Sequence, residues 1–181
     1  MNRAAIVLAA CLASAAIASA SAASESCNLS AETDWQAGQQ KFRVEAHSNG
    51  DDCAQAVVTL IVRDAKGGVL WTDSAPADHV MIFADVKSPG DMMVALASWI
   101  GEEQPFATTA DLAEWKQGAD QPILGELYFY PEPGVDRAYY EAQRAARLPV
   151  FSYVQGMESM AVIVLQTDGR MEKLGAQSFP G

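Results

Sequence analysis

The sequence has few of the residue types that bind nucleic acid or carry out acid–base catalysis. Its 12 Lys and Arg residues stand against 23 Asp and Glu residues, which gives a formal net charge of −11, and it has only two histidines, His47 and His79. A nucleic-acid-binding domain normally presents a basic face, so this composition argues against such a partner. An acidic chain of this kind is also repelled by anionic membrane surfaces.

The motifs of common enzymes and metal sites are missing as well. The sequence contains no H-E-x-x-H, C-x-x-C, G-x-S-x-G or S-x-x-K motif and no glycine-rich phosphate loop. A structural zinc site needs three or four ligands, and His47 and His79 are far apart in the chain. We therefore predict no metal ion, no cofactor and no catalytic residues.

Long apolar runs are absent after the first 22 residues. Asn2 and Arg3 precede a mostly apolar run from Ala4 to Ala18, and Ala20-Ser21-Ala22 has the small-x-small pattern that signal peptidase cleaves. The run is shorter than the roughly 20 residues of a membrane span. We predict a secretory signal peptide over residues 1–22 and a single α+β domain over residues 23–181. The mature chain would then be periplasmic or secreted and have no transmembrane segment.

A second interpretation of the N-terminus is a lipoprotein signal. Leu8-Ala9-Ala10-Cys11 resembles a lipobox, in which Cys11 would become the acylated N-terminus. The apolar run would then shrink to Ala4–Ala10, the minimum for a signal peptide. We favour cleavage near Ala22 and keep acylation at Cys11 as the alternative.

Cleavage near Ala22 would leave two cysteines, Cys27 and Cys53. In an oxidising compartment such a pair normally forms a disulfide. We therefore predict a Cys27–Cys53 bond that ties the mature N-terminus to the first strands.

Hydrophobic periodicity predicts the fold class. Residues 42–47 and 56–63 alternate at the strand period, Asp64 to Gly68 has turn composition, and Asp168-Gly169 indicates a hairpin that sets Ile163 opposite Leu174. Helical spacing and capping signals occupy the middle of the chain, beginning at Ser88 and again at Thr108. We predict an α+β fold: one antiparallel sheet of about six to seven strands with three or four short helices packed on one face.

Acidic residues are concentrated in the middle of the chain. Twelve of them lie between Asp73 and Asp136, including Glu102 and Glu103, and only Lys87 and Lys116 oppose them. If these acids share a face, they would attract a cationic partner and speed its association. The alternative is a solvated helical face that serves solubility.

Aromatic residues cluster just after this segment, around the stiff loop Pro131-Glu132-Pro133-Gly134. Strand alternation turns Tyr128 and Tyr130 away from Phe129, and helical spacing turns Tyr140 away from the centre of its apolar stripe. We expect Tyr128, Tyr130 and Tyr140 to be exposed beside Glu132 as a contact surface. Packing at a sheet–helix boundary with the hydroxyls in water is the alternative.

Together these features favour an exported, non-catalytic binding domain. The expected partner is a cationic protein, as it is for inhibitors of lytic enzymes and for immunity-type proteins. This chain is compared with those proteins by class, because it shares no motif with them. The predicted contact residues are Glu102, Glu103, Tyr128, Tyr130, Glu132 and Tyr140. The competing interpretation is a small envelope hydrolase, which would need His47 or His79 in a cleft beside a carboxylate and a hydroxyl.

Overall fold

The computed structural model describes residues 26–101 and 104–180. The predicted signal peptide, its cleavage site at Ala22 and the lipobox Cys11 lie outside the described residues. Glu102 and Glu103 lie outside them too, so their place in a contact surface stays a prediction.

The first half of the chain forms a four-stranded antiparallel meander. Its strands are β1 (Leu29–Ala37), β2 (Gln40–Asn49), β3 (Val57–Arg63) and β4 (Val69–Pro76), in the order β1-β2-β3-β4. The strands predicted from alternation at residues 42–47 and 56–63 are confirmed. The predicted turn after β3 is present and is closed by Asp64, whose carboxylate accepts the N–H groups of Lys66 and Gly68.

The second half forms a separate five-stranded antiparallel sheet. Its strands are β5 (Ile123–Leu124), β6 (Leu127–Pro131), β7 (Val150–Val154), β8 (Ser159–Leu165) and β9 (Met171–Ser178), in the order β5-β6-β9-β8-β7. The prediction of one sheet is therefore wrong, whereas the α+β class and the antiparallel pairing are confirmed. We call the two sheets sheet 1 and sheet 2.

The described residues form two α-helices, α1 (Pro89–Gly101) and α2 (Arg137–Ala146). The predicted cap of α1 is confirmed, because Ser88 Oγ accepts the Asp91 N–H and donates to the Asp91 carboxylate. The predicted capping box of Thr108 and Asp111 also forms, but it opens only a single 3-10 turn, Thr109–Asp111. Three further 3-10 turns precede α1, so the expected three or four helices are too many.

The core lies on both faces of sheet 2. One face of β8 contributes Ala161, Ile163 and Leu165 to a core shared with sheet 1 and α1. The other face contributes Val162 and Val164 to a second core formed with α2 and the preceding loop. Helices on one face of a single sheet were expected, and the structure instead places α1 and α2 on opposite faces of sheet 2.

The hairpin between β8 and β9 has a different register from the predicted one. Ile163 pairs with Lys173 and not with Leu174, and the register shifts between Val162 and Ile163. Gln166 N–H bonds the carbonyl of Arg170 across a three-residue loop that ends in Gly169 at φ +85°. The extra loop residue moves the pairing by one position, since a two-residue loop had been assumed.

The predicted Cys27–Cys53 disulfide is present and joins the segment before β1 to the 3-10 turn after β2. Both cysteines are buried in the core that sheet 1 shares with α1. Within the described part of the chain, no helix is long and apolar enough to span a bilayer.

Candidate functional site

Tyr128 and Tyr130 lie side by side on the outer part of sheet 2. They flank Phe129 on β6, and alternation along the strand buries Phe129 completely while it leaves the two tyrosines 44% and 50% exposed. Their ring centroids are 6.3 Å apart with the planes tilted by 40°. The expected exposure of this pair therefore agrees with the structure.

Ile123 extends this apolar surface onto the neighbouring strand. It pairs directly with Tyr128 across the β5–β6 ladder, so the two side chains are on the same face, and Ile123 is 45% exposed. The hairpin loop is Gly125-Glu126, with Gly125 at φ +64°, a conformation that favours glycine. We call Ile123, Tyr128 and Tyr130 the tyrosine surface.

The backbone beneath the tyrosine surface is held on both sides. The Tyr128 N–H donates to Ser178 Oγ at 2.9 Å, and its carbonyl accepts from Gln177 Nε2 at 3.1 Å. The Phe129 N–H donates to the Pro122 carbonyl at 3.0 Å. These bonds fix the strand that carries the tyrosines, so little ordering is needed when a partner binds.

A cleft of about 400 Å³ adjoins the tyrosine surface. It shares Ile123 with that surface, and its other lining residues are Glu114, Lys116, Ala119, Gln121 and Gly125. The exposed acids Asp120 and Glu126 follow the chain around the same hairpin. Glu114 and Lys116 line the cleft, Arg137 donates to the Trp115 carbonyl between them, and Asp120 and Glu126 each adjoin a lining residue in the chain.

Tyr140 is not part of this surface, contrary to expectation. It is fully buried on α2, its hydroxyl donates to the Ala113 carbonyl at 2.7 Å, and its ring contacts Phe129 and Trp115. Burial raises the pKa of Tyr140 above its ordinary value. Helical spacing places Tyr139 on the apolar stripe, but its side chain is 36% exposed and its hydroxyl donates to Glu172.

The reason is that the packed face of α2 is largely polar. Glu141 accepts the Trp115 N–H, and Arg144 donates to the Leu112 carbonyl, so both side chains bind the backbone of the loop that α2 covers. When the side chains of a helix face form hydrogen bonds with the backbone of a loop, that face does not show the apolar spacing by which buried helix faces are recognised. The apolar stripe was therefore assigned to the wrong side of α2.

Several acids of the middle segment have partners within the protein. Glu132 pairs with Lys173 at 2.7 Å, and Asp91, Asp111 and Asp136 each accept backbone N–H groups at the start of a helix or 3-10 turn. The pKa of Asp91 is lowered chiefly by the hydrogen bond from the Ser88 hydroxyl, and the pKa of Asp111 chiefly by the bond from the Thr108 N–H. The segment is acidic in part because its turns are capped by carboxylates.

Neither histidine lines the cleft beside the tyrosine surface or any of three further clefts in the described part of the chain. His47 Nε2 lies 3.4 Å from Glu45 Oε2 on the outer face of sheet 1, and His79 Nε2 lies 4.0 Å from Asp78 Oδ1. The Glu45 carboxylate is therefore within reach of His47, but among the described residues no hydroxyl group is hydrogen-bonded to the His47 ring. The described residues also hold no group of three or more metal-ligand side chains.

Sequence reasoning missed Ile123, although a signal was available. The run from Ile123 to Tyr130, bounded by two prolines, is typical of one continuous strand, but Gly125-Glu126 interrupts it with turn composition. Splitting the strand there pairs Ile123 with Tyr128.

The sequence matches no protein-family model, and comparisons with curated proteins and with solved structures gave no match.

Proposed function

We propose that this protein is an exported, non-catalytic binding domain that holds a cationic protein partner at the tyrosine surface. The observation that carries the proposal is the exposure of Tyr128, Tyr130 and Ile123 together on one rigid hairpin. An inhibitor or immunity-type protein would use such a surface. The chain is compared with those proteins by class and not by a shared motif.

The chemistry of the surface supports a protein partner. Tyrosine is enriched among the residues that dominate binding energy, because a rigid ring supplies contact area and its hydroxyl supplies a hydrogen bond. Tyr128 and Tyr130 are each about half exposed, so each ring keeps a free face for a partner. A partner that covers both rings and Ile123 would bury a continuous apolar centre surrounded by polar residues.

The charge of the surroundings supports a cationic partner. The chain carries a formal net charge of −11, Glu114 lines the cleft beside Ile123, and the exposed acids Asp120 and Glu126 lie close to Ile123 in the chain. Exposed charges at the edge of an interface act mainly on the rate of encounter, and salt screens them. The tyrosines should therefore control dissociation and the acids should control association.

Export is the remaining part of the proposal. The Cys27–Cys53 disulfide is compatible with an oxidising compartment, and residues 1–22 carry the signal pattern. Mass spectrometry of the exported protein should give an N-terminus near Ala23. An acylated N-terminus at Cys11 would support the lipoprotein alternative, and a chain retained with residue 1 would contradict export.

The binding proposal is tested by comparing variants in capture from an envelope extract at low salt. Tyr128→Ala/Tyr130→Ala should lose one basic protein that the wild type captures. The matched control Met93→Ala/Val94→Ala removes exposed apolar side chains from α1 and should retain that protein. Equal capture by both variants would contradict the proposal.

Kinetics with the captured protein then test the division of roles. Asp120→Lys/Glu126→Lys should slow association by about tenfold at low salt and by less at high salt. Asp51→Lys/Asp85→Lys makes the same change of charge at other exposed sites and should slow it by less. Equal slowing by the two charge variants would mean that total charge, and not this surface, attracts the partner.

A further inference from the structure

The two sheets have four edge strands, and the structure treats them differently. An edge strand presents unpaired N–H and C=O groups that accept another strand unless the edge is short, blocked or covered. The hydrogen-bond register shows which residues of each edge point these groups outward, because outward and inward residues alternate along an antiparallel strand.

The edge of β7 is blocked along its length. Its outward residues are Val150, Ser152 and Val154. The Gln104 side-chain amide accepts the Ser152 N–H at 2.6 Å and donates to the Ser152 carbonyl at 3.1 Å. The Val150 N–H bonds the Ala107 carbonyl, and the Val154 carbonyl accepts from Trp99 Nε1.

The edges of β5 and β4 are also poor acceptors of a strand. β5 has only two residues. On β4 the outward residues include Pro76, which has no N–H, and Ser74, whose N–H is bonded by the Asp73 carboxylate at 2.9 Å. Thr72 then remains as an isolated outward residue, and one residue does not support a strand pairing.

The edge of β1 is long and open. The β1–β2 loop has two residues, Gly38 and Gln39, so Ala37 and Gln40 form the hydrogen-bonded pair that closes it. Alternation from that pair turns Ser30, Glu32, Asp34 and Gln36 outward. Among the described residues, no group bonds the backbone of these four residues on that side. The open edge spans about 20 Å.

We propose that the β1 edge binds an extended, cationic segment of a protein as an additional, antiparallel strand of sheet 1. Main-chain bonds to the four outward residues supply the attachment, as in other complexes formed by strand addition. This site is separate from the tyrosine surface and does not depend on the function proposed for it.

The side chains of β1 select the charge of the segment. Ser30, Glu32, Asp34 and Gln36 are exposed on the outer face of sheet 1, so a Lys or Arg opposite Glu32 or Asp34 forms a favourable cross-strand pair. Asp34 already pairs with Lys41 at 2.7 Å, but both side chains are more than half exposed and such a pair exchanges readily. Glu32 faces Glu45, whose charge is bound by Arg63.

The same acids disfavour pairing with a second copy of the chain. An antiparallel pair of β1 strands centred on Thr33 would set Glu32 opposite Asp34 twice, and like charges directly opposite are destabilising. On the inner face, Ala31 and Thr33 are half-buried small residues beside α1. The expected segment therefore alternates cationic residues on the outer face with small apolar residues on the inner face.

The test uses the oxidised protein and a capped nine-residue peptide of alternating Lys and Val, measured by titration calorimetry. The lysine peptide should bind, and the same peptide with Glu for Lys should not. N-methylation of the lysine amides, which would face β1, should weaken binding by about tenfold, whereas N-methylation of the valine amides should leave it unchanged. Equal effects of the two methylations would overturn strand addition.

Protein variants give an independent test. Glu32→Pro removes one outward N–H without touching the β1–β2 ladder, because proline is tolerated on an edge strand where its nitrogen faces solvent. Glu32→Pro should lower the affinity for the lysine peptide by about tenfold. Glu32→Gln, which removes only the charge, should lower it by about threefold. Thr72→Pro, on the edge of β4, is the control and should leave peptide binding unchanged. If both Glu32 variants bind the peptide as the wild type does, or if Thr72→Pro weakens binding as much as Glu32→Pro, the peptide does not bind at the β1 edge.

Discussion

Two tyrosines of sheet 2 stand in the same row and on the same face, yet their surroundings are opposite. The row runs Tyr153, Ala161, Ala176, Tyr130 across β7, β8, β9 and β6. Tyr153 is 3% exposed, and its hydroxyl donates to Asp73 at 2.7 Å and accepts from Trp71 Nε1 at 3.1 Å. Tyr130 is 50% exposed.

The difference is set by where sheet 1 ends. Its last strand, β4, supplies Trp71 and Asp73 to Tyr153 and contacts β9, whereas Tyr130 lies one strand further out on β6. Burial raises the pKa of Tyr153, and the neighbouring Asp73 raises it further. The covered tyrosine joins the two sheets, and the uncovered tyrosine is available to a partner.

The largest expected effect contrasts two isoleucines on the two sides of this boundary. Ile163→Ala should lower the free energy of unfolding by about 2–5 kcal/mol, because Ile163 is fully buried, and Leu60→Ala in sheet 1 should do the same. Ile123→Ala, in the tyrosine surface, should cost less than about 0.5 kcal/mol. Urea denaturation measures all three, and a small loss at Ile163 would mean that sheet 1 does not cover β8.

The next effect contrasts the tyrosine hydroxyls. Tyr153→Phe removes the bond to Asp73, which faces inward between the sheets, so the free energy of unfolding should fall by about 1–3 kcal/mol. Tyr130→Phe should change it by less than about 0.5 kcal/mol. Similar losses of unfolding free energy in the two variants would show that the Tyr130 hydroxyl also stabilises the fold.

A smaller effect concerns acid stability on the outer face of sheet 1, away from the contact between the sheets. Burial raises the pKa of Glu45, but its bonds to Arg63 and His47 outweigh this and leave the pKa below its usual value of 4.5. A lowered folded-state pKa stabilises the protein above about pH 4.5, and this contribution is lost as pH falls through the folded pKa.

Glu45→Gln does not titrate, so its stability should fall less steeply than that of the wild type between about pH 5 and pH 3. The difference in the free energy of unfolding should be about 1 kcal/mol or less. Arg43, which also pairs with Glu45, is half exposed, and solvent weakens ion pairs of this kind. Thermal melts across this range measure it. Parallel curves for the two proteins would show that Glu45 makes no stabilising pair.

Local patterns predicted local features well. The alternation around Phe42 and Leu60, the Ser88–Asp91 cap and the exposure of Tyr128 and Tyr130 all follow from short-range rules. Each depends on residues within a strand, a turn or a helix end, where geometry fixes which side chains face which way.

Arrangements between elements were not predictable in the same way. The run Ala161 to Leu165 is apolar on both faces, which fits a central strand of one sheet as well as a strand packed between sheet 1 and α2. The buried side of α2 around Tyr140 is polar, so its spacing pointed to the wrong face. Whether Tyr130 or Tyr153 is covered depends on sheet 1, and no pattern within β6 or β7 contains that information.

Only a small change in stability is expected for the variant that should matter most for binding, Tyr128→Ala/Tyr130→Ala. The direct test of the account measures two quantities on this variant: the free energy of unfolding and the dissociation rate of the captured basic protein. We predict that unfolding changes by less than about 0.5 kcal/mol per residue, while dissociation accelerates by about thirtyfold or more, as expected for buried interface tyrosines. A destabilised fold with an unchanged dissociation rate would contradict the account, because the tyrosines would then serve the structure and not a partner.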